Sequence, residues 1–314
     1  MEGTAFYFSW EITLMEALQR NMGSLSVMIM SCITLLGEEM VMVAVLGFLY
    51  WCFDKKAAKK IGTAIMVGIV FNPMIKNIAV RRRPYFDSPG IKCLKPVNAK
   101  ADIYDIAAQG YSFPSGHSLN SAILYGSLPL YWKKTFLRVI AFVIPLLVGI
   151  SRVVLGVHYP TDVLASWIVG AVVVIMIHYA EEHVKDENLF HAILFVLALG
   201  GIFYCRTTDY FTSLGLMAGF FLSIPFEKKY VNFRETGNPL AAALRLIGGF
   251  AVYFGGNTLL KLPFSKEFLA QPVMAAFLVR TARYAVVSFI MLAIYPMLFG
   301  KIIKEKEEPE QKAG

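Results

Sequence analysis

Charge is scarce in this chain. Of its 314 residues only 17% are Asp, Glu, Lys or Arg, 57% are hydrophobic, and the mean hydropathy is +0.57. A soluble domain needs more polar surface than that, so a water-soluble globular enzyme is a poor reading. Cysteine is also sparse: Cys32, Cys52, Cys93 and Cys205 lack metal-ligand spacing, which argues against a thiolate metal centre. Cys32 and Cys52 lie in apolar runs and read as packing residues. Cys93 and Cys205 fall on one expected side of a membrane, and whether they pair is left open. The stretch Met1 to Thr13 has acids and aromatics but no basic n-region, so no cleaved signal peptide is expected. No low-complexity linker interrupts the chain. No long basic face separates from the apolar runs, so the net charge of +8 points away from nucleic acid. Loop bias in a membrane protein or an anion site accounts for it better.

What is present is a series of apolar runs, several approaching the ~20 residues that cross a bilayer core. Helices satisfy their own backbone groups there, so the expected fold is all-α, a polytopic membrane bundle of about nine transmembrane helices with a five-helix core. Residues 1–60 supply an amphipathic lead-in over 5–23, with Trp10 as an interface anchor, then an interfacial helix to about Leu36 and a first crossing from about Glu38 to Phe53. Residues 61–180 hold spans two to five, expected near 61–80, 117–131, 139–155 and 162–179. Residues 181–300 add four accessory spans, near 189–205, 214–226, 240–258 and 273–300. A charged tail, 301–314 with Pro309, reads as disordered.

Alternating crossings put Lys55, Lys56, Lys59 and Lys60 on one side with Lys133, Lys134 and Arg138, with Lys228, Lys229 and Arg234, and with Lys301, Lys304 and Lys306. The positive-inside rule makes that side cytoplasmic. The loops 81–115 and 156–161 then face outward, and the C-terminus inward, in the cell membrane. Arg81-Arg82-Arg83 argues the other way, unless part of that charge serves an anionic ligand. Arg81 and Arg82 are read as peripheral, attracting anionic lipid.

Three short stretches carry chemistry. Lys76 and Arg83 are seven apart, two helical turns, and share a face if the helix continues until Pro84 ends it. Two cations aimed at one place suit an oxyanion, with Arg as a planar fork and Lys as a mobile point charge; snorkelling from a helix end is the plain alternative. Pro114-Ser115-Gly116-His117 opens an apolar helix, whose N-terminus is a natural phosphate site. Gly116 permits close backbone approach and Ser115 adds a hydroxyl; an ordinary Ser cap beside a packed His fits the same residues. Arg152 precedes His158 by six residues and Asp162 follows it by four. A carboxylate one turn beyond a histidine accepts its ring N–H, fixes the tautomer and frees the other nitrogen as a nucleophile. A structural His–Asp capping pair is the alternative.

Taken together, Lys76-x6-Arg83-Pro84, Pro114-Ser115-Gly116-His117 and Ser151-Arg152-x5-His158-x3-Asp162 resemble the signature of the type 2 phosphatidic acid phosphatase superfamily, intact at every defining position and covering about residues 60–180. The resemblance implies metal-independent, two-step phosphoryl transfer without a cofactor. It assigns nucleophilic attack to His158, orientation of that ring to Asp162, and protonation of the leaving oxygen to His117. Lys76, Arg83, Arg152, Ser115 and the Gly116 N–H would hold the phosphoryl oxygens. Leu36-Gly37-Glu38-Glu39 with Tyr50-Trp51-Cys52-Phe53-Asp54 looks like the sphingosine-phosphate phosphatase branch.

The expected partner is an amphiphilic phosphate among membrane lipids: phosphatidate, a sphingoid phosphate or a polyprenyl pyrophosphate. Phosphate transfer to another acceptor, or a non-catalytic lipid transporter or binding protein on the same fold, are the rival readings. His178, His183 and His191 beside Glu181 and Glu182 read as a solvated interfacial face rather than a metal site. Arg280 and Arg283, inside the last apolar run, either snorkel or pair with Glu38 or Glu39.

Overall fold

The computed structural model describes residues 3–302, so most of the charged tail lies outside the described residues. In chain order the helices are α1 (Ser9–Gln19), α2 (Ser24–Ile33), α3 (Glu39–Phe48), α4 (Lys55–Ala79), α5 (Pro84–Asp87), α6 (Ile106–Gln109), α7 (Gly116–Tyr131), α8 (Thr135–Val154), α9 (Pro160–His183), α10 (Glu187–Leu199), α11 (Thr208–Phe226), α12 (Pro239–Leu259), α13 (Lys266–Ala270), α14 (Met274–Phe289) and α15 (Phe299–Ile302). Among the described residues the only β pairing is a parallel bridge between Thr4 and Arg81.

The helix starts follow local chemistry. Asp54 caps α4 by accepting from the Ala57 N–H at 2.9 Å, and Asp186 and Asn238 cap α10 and α12 in the same way. Pro160 and Pro239 occupy first-turn positions, where a missing N–H costs nothing. Between α2 and α3 the chain bends by 48° at Glu38, where a break was expected.

Five helices are long and apolar enough to cross a bilayer: α4, α8, α9, α12 and the helix from Met274 to Leu298; the bent 24–53 pair makes a sixth. The expected count of nine is not reached on length and composition. Two of the expected spans are short: α7 has 16 residues, and the apolar stretch from Glu187 ends at Phe203. At 1.5 Å per residue, 16 residues cover only ~24 Å.

Around α4 the bundle is organised. One continuous core joins it to α3, α7, α11 and α14, through Ile61, Ile65, Leu119, Ile123, Met217 and Phe220 among others. The accessory helices are docked by charge and by close approach. Glu227, fully buried, accepts from Lys55 at 2.9 Å and Lys59 at 3.0 Å. Along the α11–α14 seam a Cβ on Gly215 would lie 2.4 Å from the Thr281 carbonyl oxygen, and one on Gly219 1.9 Å from Ser288 Oγ; only glycine lets these helices touch. Lys55 to Lys60 sit at the start of α4 and Lys76 in its last turn, placing the lysine-rich end about 30 Å from the end described next.

Several expectations are corrected. Helix α4 stops at Ala79, where Val80 is left-handed (φ 43°), and Arg83 is extended ahead of Pro84, which begins α5 rather than ending α4. The proline biases its predecessor away from helix, so Lys76 and Arg83 do not share a helical face. Arg280 and Arg283 pair with neither Glu38 nor Glu39; Arg283 donates to Asn257 Oδ1 at 3.0 Å and Arg280 to Thr212 Oγ1 at 3.4 Å. His191 is not solvated: its ring is buried and stacks on Phe221 at 4.4 Å. Among the described residues no cluster has the makings of a metal site. Cys32 is exposed rather than packed, and Cys93 and Cys205 are free thiols.

Candidate active site

At the far end of α4 the three motif stretches converge, although Lys76 and Arg83 arrive by a route other than a shared helix. Lys76 reaches from the last turn of α4 and donates to the Tyr111 carbonyl at 2.6 Å. Arg83 reaches from the extended strand-like segment and donates through Nε to the carbonyls of Gln109 and Gly110, both at 3.0 Å. One loop, 109–111, therefore holds both cations. Arg83 Nη1 also donates to the Val157 carbonyl at 2.8 Å and lies 3.4 Å from His158 Nε2.

His158 sits in the turn between α8 and α9 and is buried. Its Nδ1 lies 3.4 Å from Asp162 Oδ2, the i, i+4 relation expected from sequence. Asp162 is itself held by the start of α9: its Oδ2 accepts from the Tyr159 N–H at 2.8 Å and from Ser112 Oγ, and its Oδ1 accepts from Arg81 Nη1 at 2.6 Å. A carboxylate acceptor beside Nδ1 assigns the proton to that nitrogen and leaves Nε2 with a free lone pair. Burial, reinforced by the charges of Arg83, Lys76 and Arg152, holds His158 well below the ordinary histidine range. That environment favours the neutral ring, the form in which an imidazole nitrogen can donate its lone pair.

Helix α7 begins beside this pair. Ser115 caps it and accepts from Ser118 Oγ at 2.9 Å, while its own N–H meets the Asp162 carbonyl at 3.3 Å. Ser166 Oγ donates to the carbonyls of both Ser115 and Asp162, at 2.9 and 2.7 Å, locking the starts of α7 and α9 together. A Cβ on Gly116 would meet only Asn72 Oδ1 at 3.7 Å, so the protein itself leaves space there. His117 is half-buried one residue into α7 and forms no hydrogen bond within the protein among the described residues. Arg152, in the last turn of α8, is buried, donates to Thr34 Oγ1 at 3.0 Å, and has an Nε without a partner.

These cations divide into two kinds. Arg81 is bonded to carboxylates. Lys76, Arg83 and Arg152 are engaged by carbonyl or hydroxyl oxygens and, for Arg83, by the His158 ring, and none of them has a carboxylate within ion-pair distance among the described residues. Buried charge without a counter-charge costs several kcal/mol per ion. Buried Arg83 and Arg152, with half-buried Lys76, converge on one histidine and make a site that an anion would complete. Sequence reasoning placed Arg81 at the periphery. It is 1% exposed and sits directly behind Asp162. Ser112 and Glu11 were also missed. Ser112, three residues before Ser115, carries a weak local signal, whereas Glu11 carries none.

Residues 57–185 match the model of the PAP2 superfamily, and residues 211–307 match that of the PAP2 superfamily phosphatase, transmembrane extension. Phosphatidylglycerophosphatase B of Bacillus subtilis is 43% identical over 84 residues, 24% of this chain and 41% of that protein. Undecaprenyl-diphosphatase of Sulfolobus acidocaldarius is 29% identical over 37% of this chain and 53% of that protein. Lipid A 1-phosphatase of Rhizobium etli is 30% identical over 35% of this chain and 46% of that protein. The chain thus spans about half the length of the curated relatives it matches. A crystal structure of a transmembrane PAP2 type phosphatidylglycerolphosphate phosphatase from Bacillus subtilis aligns with 57% of this chain and 88% of its own, at 27% identity and a TM-score of 0.44. With one model matched across the motif-bearing helices and the other across the accessory ones, the chain belongs to the PAP2 superfamily.

Proposed function

We propose that this chain is a membrane phosphatase that removes phosphate from a lipid phosphomonoester or pyrophosphate through a phosphohistidine on His158. The observation that carries the reading is the set of three cations, buried Arg83 and Arg152 and half-buried Lys76, without carboxylate partners around an Asp-oriented histidine. A phosphoryl group there would be gripped by those cations, by the Gly116 N–H at the start of α7 and by Ser115. Most phosphoryl-transfer catalysis is such positioning and charge stabilisation.

In the first step the His158 Nε2 lone pair forms a P–N bond while the bond from phosphorus to the leaving oxygen breaks, and His117 delivers a proton to that oxygen. In the second step His117 takes a proton from water, the water oxygen bonds to phosphorus, and the P–N bond breaks. Inorganic phosphate leaves with both histidines restored. Asp162 keeps the Nδ1 proton in place through both steps. No step needs a metal ion.

The three named relatives act on a phosphatidylglycerophosphate, an undecaprenyl diphosphate and a lipid A phosphate according to their names. What those substrates have in common is a phosphate on an apolar anchor. An apolar cavity of about 380 Å³ between α7, α8 and α9, lined by residues including Ala122, Phe142, Pro145, Trp167 and Val174, supports an acyl or prenyl tail lying along the helices that carry His117 and Asp162. The lysine-rich opposite end supports a cytoplasmic location for that end and an extracytoplasmic active site.

The test is phosphate release by the purified protein in mild detergent with EDTA present, using phosphatidate, a sphingoid phosphate, phosphatidylglycerophosphate and undecaprenyl diphosphate. His158→Ala is the control. Metal-independent release that vanishes in the variant is expected; release that survives it would overturn the phosphohistidine.

A further inference from the structure

We infer that Arg81, held by Glu11 of the N-terminal helix, is a positioning residue that fixes the Asp162–His158 pair. The inference rests on the reading of His158 as the nucleophile. Glu11 lies outside the three motif stretches, Arg81 is one of the unspecified positions inside the first, and the two are 70 positions apart in sequence.

The geometry is that of a clamp. Arg81 Nη1 donates to Asp162 Oδ1 at 2.6 Å and to Thr161 Oγ1 at 2.8 Å, Nη2 donates to Glu11 Oε2 at 3.0 Å, and Nε donates to the Phe6 carbonyl at 2.7 Å. Every guanidinium nitrogen is engaged. The group lies between two rings, with Tyr159 3.9 Å and Phe6 4.7 Å from its centre. Glu11 is equally committed: it accepts from Arg81, from the Phe8 N–H at 2.9 Å, and from both the N–H and the hydroxyl of Thr161 at 3.0 and 2.7 Å. Both side chains are essentially inaccessible to water. Thr4 pairs with the backbone on either side of Arg81, through Val80 and Arg82, at 2.8 and 2.9 Å. Residues 4–11 thus wrap the arginine and press it against the start of α9.

Two consequences follow for His158. The first is geometric. Asp162 has one oxygen turned to the imidazole and the other pinned by Arg81, so the carboxylate cannot rotate away from Nδ1. The second is electrostatic. The groups facing His158 are Lys76 from α4, Arg83 from the segment before α5, His117 from α7, Arg152 from α8 and Asp162 from α9. Asp162 is the only carboxylate among them. Arg81 withdraws negative charge from it, which keeps the pair from taking up a proton and keeps the attacking nitrogen free. Loss of Arg81 would leave Asp162 and Glu11 as two carboxylates near one another without a cation, and the pair would protonate at higher pH.

Steady-state kinetics of the full chain with the panel above, across pH, test this with Arg81→Gln, Arg81→Lys and Glu11→Gln. Because catalytic groups are intact, KM is expected to stay near the wild-type value while kcat falls about tenfold or more in Arg81→Gln, in the range of outer-shell substitutions at other sites. The acid limb of kcat/KM should move to higher pH. Glu11→Gln keeps the shape and should show a smaller loss of kcat as the clamp loosens, with the acid limb moved the other way, to lower pH, because a carboxylate beside the Arg81–Asp162 pair is gone; Arg81→Lys should recover part of the Arg81→Gln loss. Arg83→Ala is the contrast and should raise KM. Folded Arg81→Gln and Glu11→Gln proteins with wild-type kcat and an unmoved acid limb would overturn the inference; so would a change confined to KM. If Arg81→Gln fails to fold, the Glu11→Gln result decides by the same two criteria. If the wild type releases no phosphate, the phosphatase reading fails on its own. Orthovanadate titration then decides: the clamp predicts binding whose pH dependence moves downward in Glu11→Gln, which removes a carboxylate beside the Arg81–Asp162 pair, and identical profiles would sink it.

Discussion

Arg83 Nη1 lies 3.4 Å from His158 Nε2, so a guanidinium faces the same ring nitrogen that Asp162, on the opposite edge, leaves without a proton. A charged imidazole would face Arg83 across that distance with repulsion, and burial disfavours it further. The depressed His158 value sets a stability signature as well as a kinetic one. An unfolded histidine titrates near pH 6.5, whereas the folded one stays neutral below that. Between the two values the unfolded chain binds more protons, so stability falls as the pH drops below about 6.5. The thermal midpoint of His158→Gln in detergent is expected to fall less than that of the wild type over the same pH range. Parallel curves would mean that His158 is not held neutral by the fold.

Gly116 gives the sharpest separation between fold and function. Its added Cβ would have only Asn72 Oδ1 for company, at 3.7 Å, and alanine is a better helix residue than glycine. Gly116→Ala should leave the unfolding midpoint within about 0.5 kcal/mol of wild type or raise it. Its phosphate release should drop tenfold or more, because the methyl group occupies the approach to the helix N-terminus. Equal activity would show that the phosphate lies elsewhere.

How much of this was legible in the sequence depended on range. The N-terminal starts of α7 and α9 are local events, a serine cap and a first-turn proline, so Ser115, Gly116, His158 and Asp162 fall into register from a few residues of sequence. Lys76 and Arg83 were read correctly as cations near one another but for a local reason that does not hold. Residues compatible with a helix run past Ala79 as far as Arg83, and nothing in them announces the left-handed Val80 that turns the chain. The pair meets instead through the 109–111 loop. Arg81 was misplaced because an arginine beside two others looks like surface charge. Its burial depends on Glu11, and a single long-range ion pair leaves no periodic trace. The count of nine spans is not confirmed by length and composition, because apolar composition reports burial as readily as lipid contact: α11 is apolar but packs along α14 with most of its residues buried.

Glu227 offers a test of how the accessory helices are held. It is fully buried, while Lys55 and Lys59 keep 12% and 19% of their side chains accessible. Removing the acid lets the lysines turn outward; removing the lysines strands a buried carboxylate. Lys55→Met combined with Lys59→Met is therefore expected to destabilise by about 3–5 kcal/mol, and Glu227→Gln by clearly less. Denaturation of the variants in detergent checks the order, and the reverse order would refute this account of the α4–α11 junction.

The apolar cavity between α7, α8 and α9 separates a lipid phosphatase from one that reads only the phosphate. Ala171 lines it beside Ala122 and Trp167, and a larger side chain there would fill it without touching any residue of the His158 site. Pocket contacts of this kind are worth roughly 1–3 kcal/mol per substituent, about ten- to a hundredfold in kcat/KM. Ala171→Trp is expected to lower kcat/KM for a long-chain phosphate by that order while leaving a short, water-soluble phosphomonoester unaffected. The comparison is internal, because both substrates share the phosphoryl site and differ only in the tail. A parallel loss on both would trace to disturbed packing of α7 against α9. No loss on either would place the tail outside this cavity, with the headgroup alone recognised by Lys76, Arg83 and Arg152.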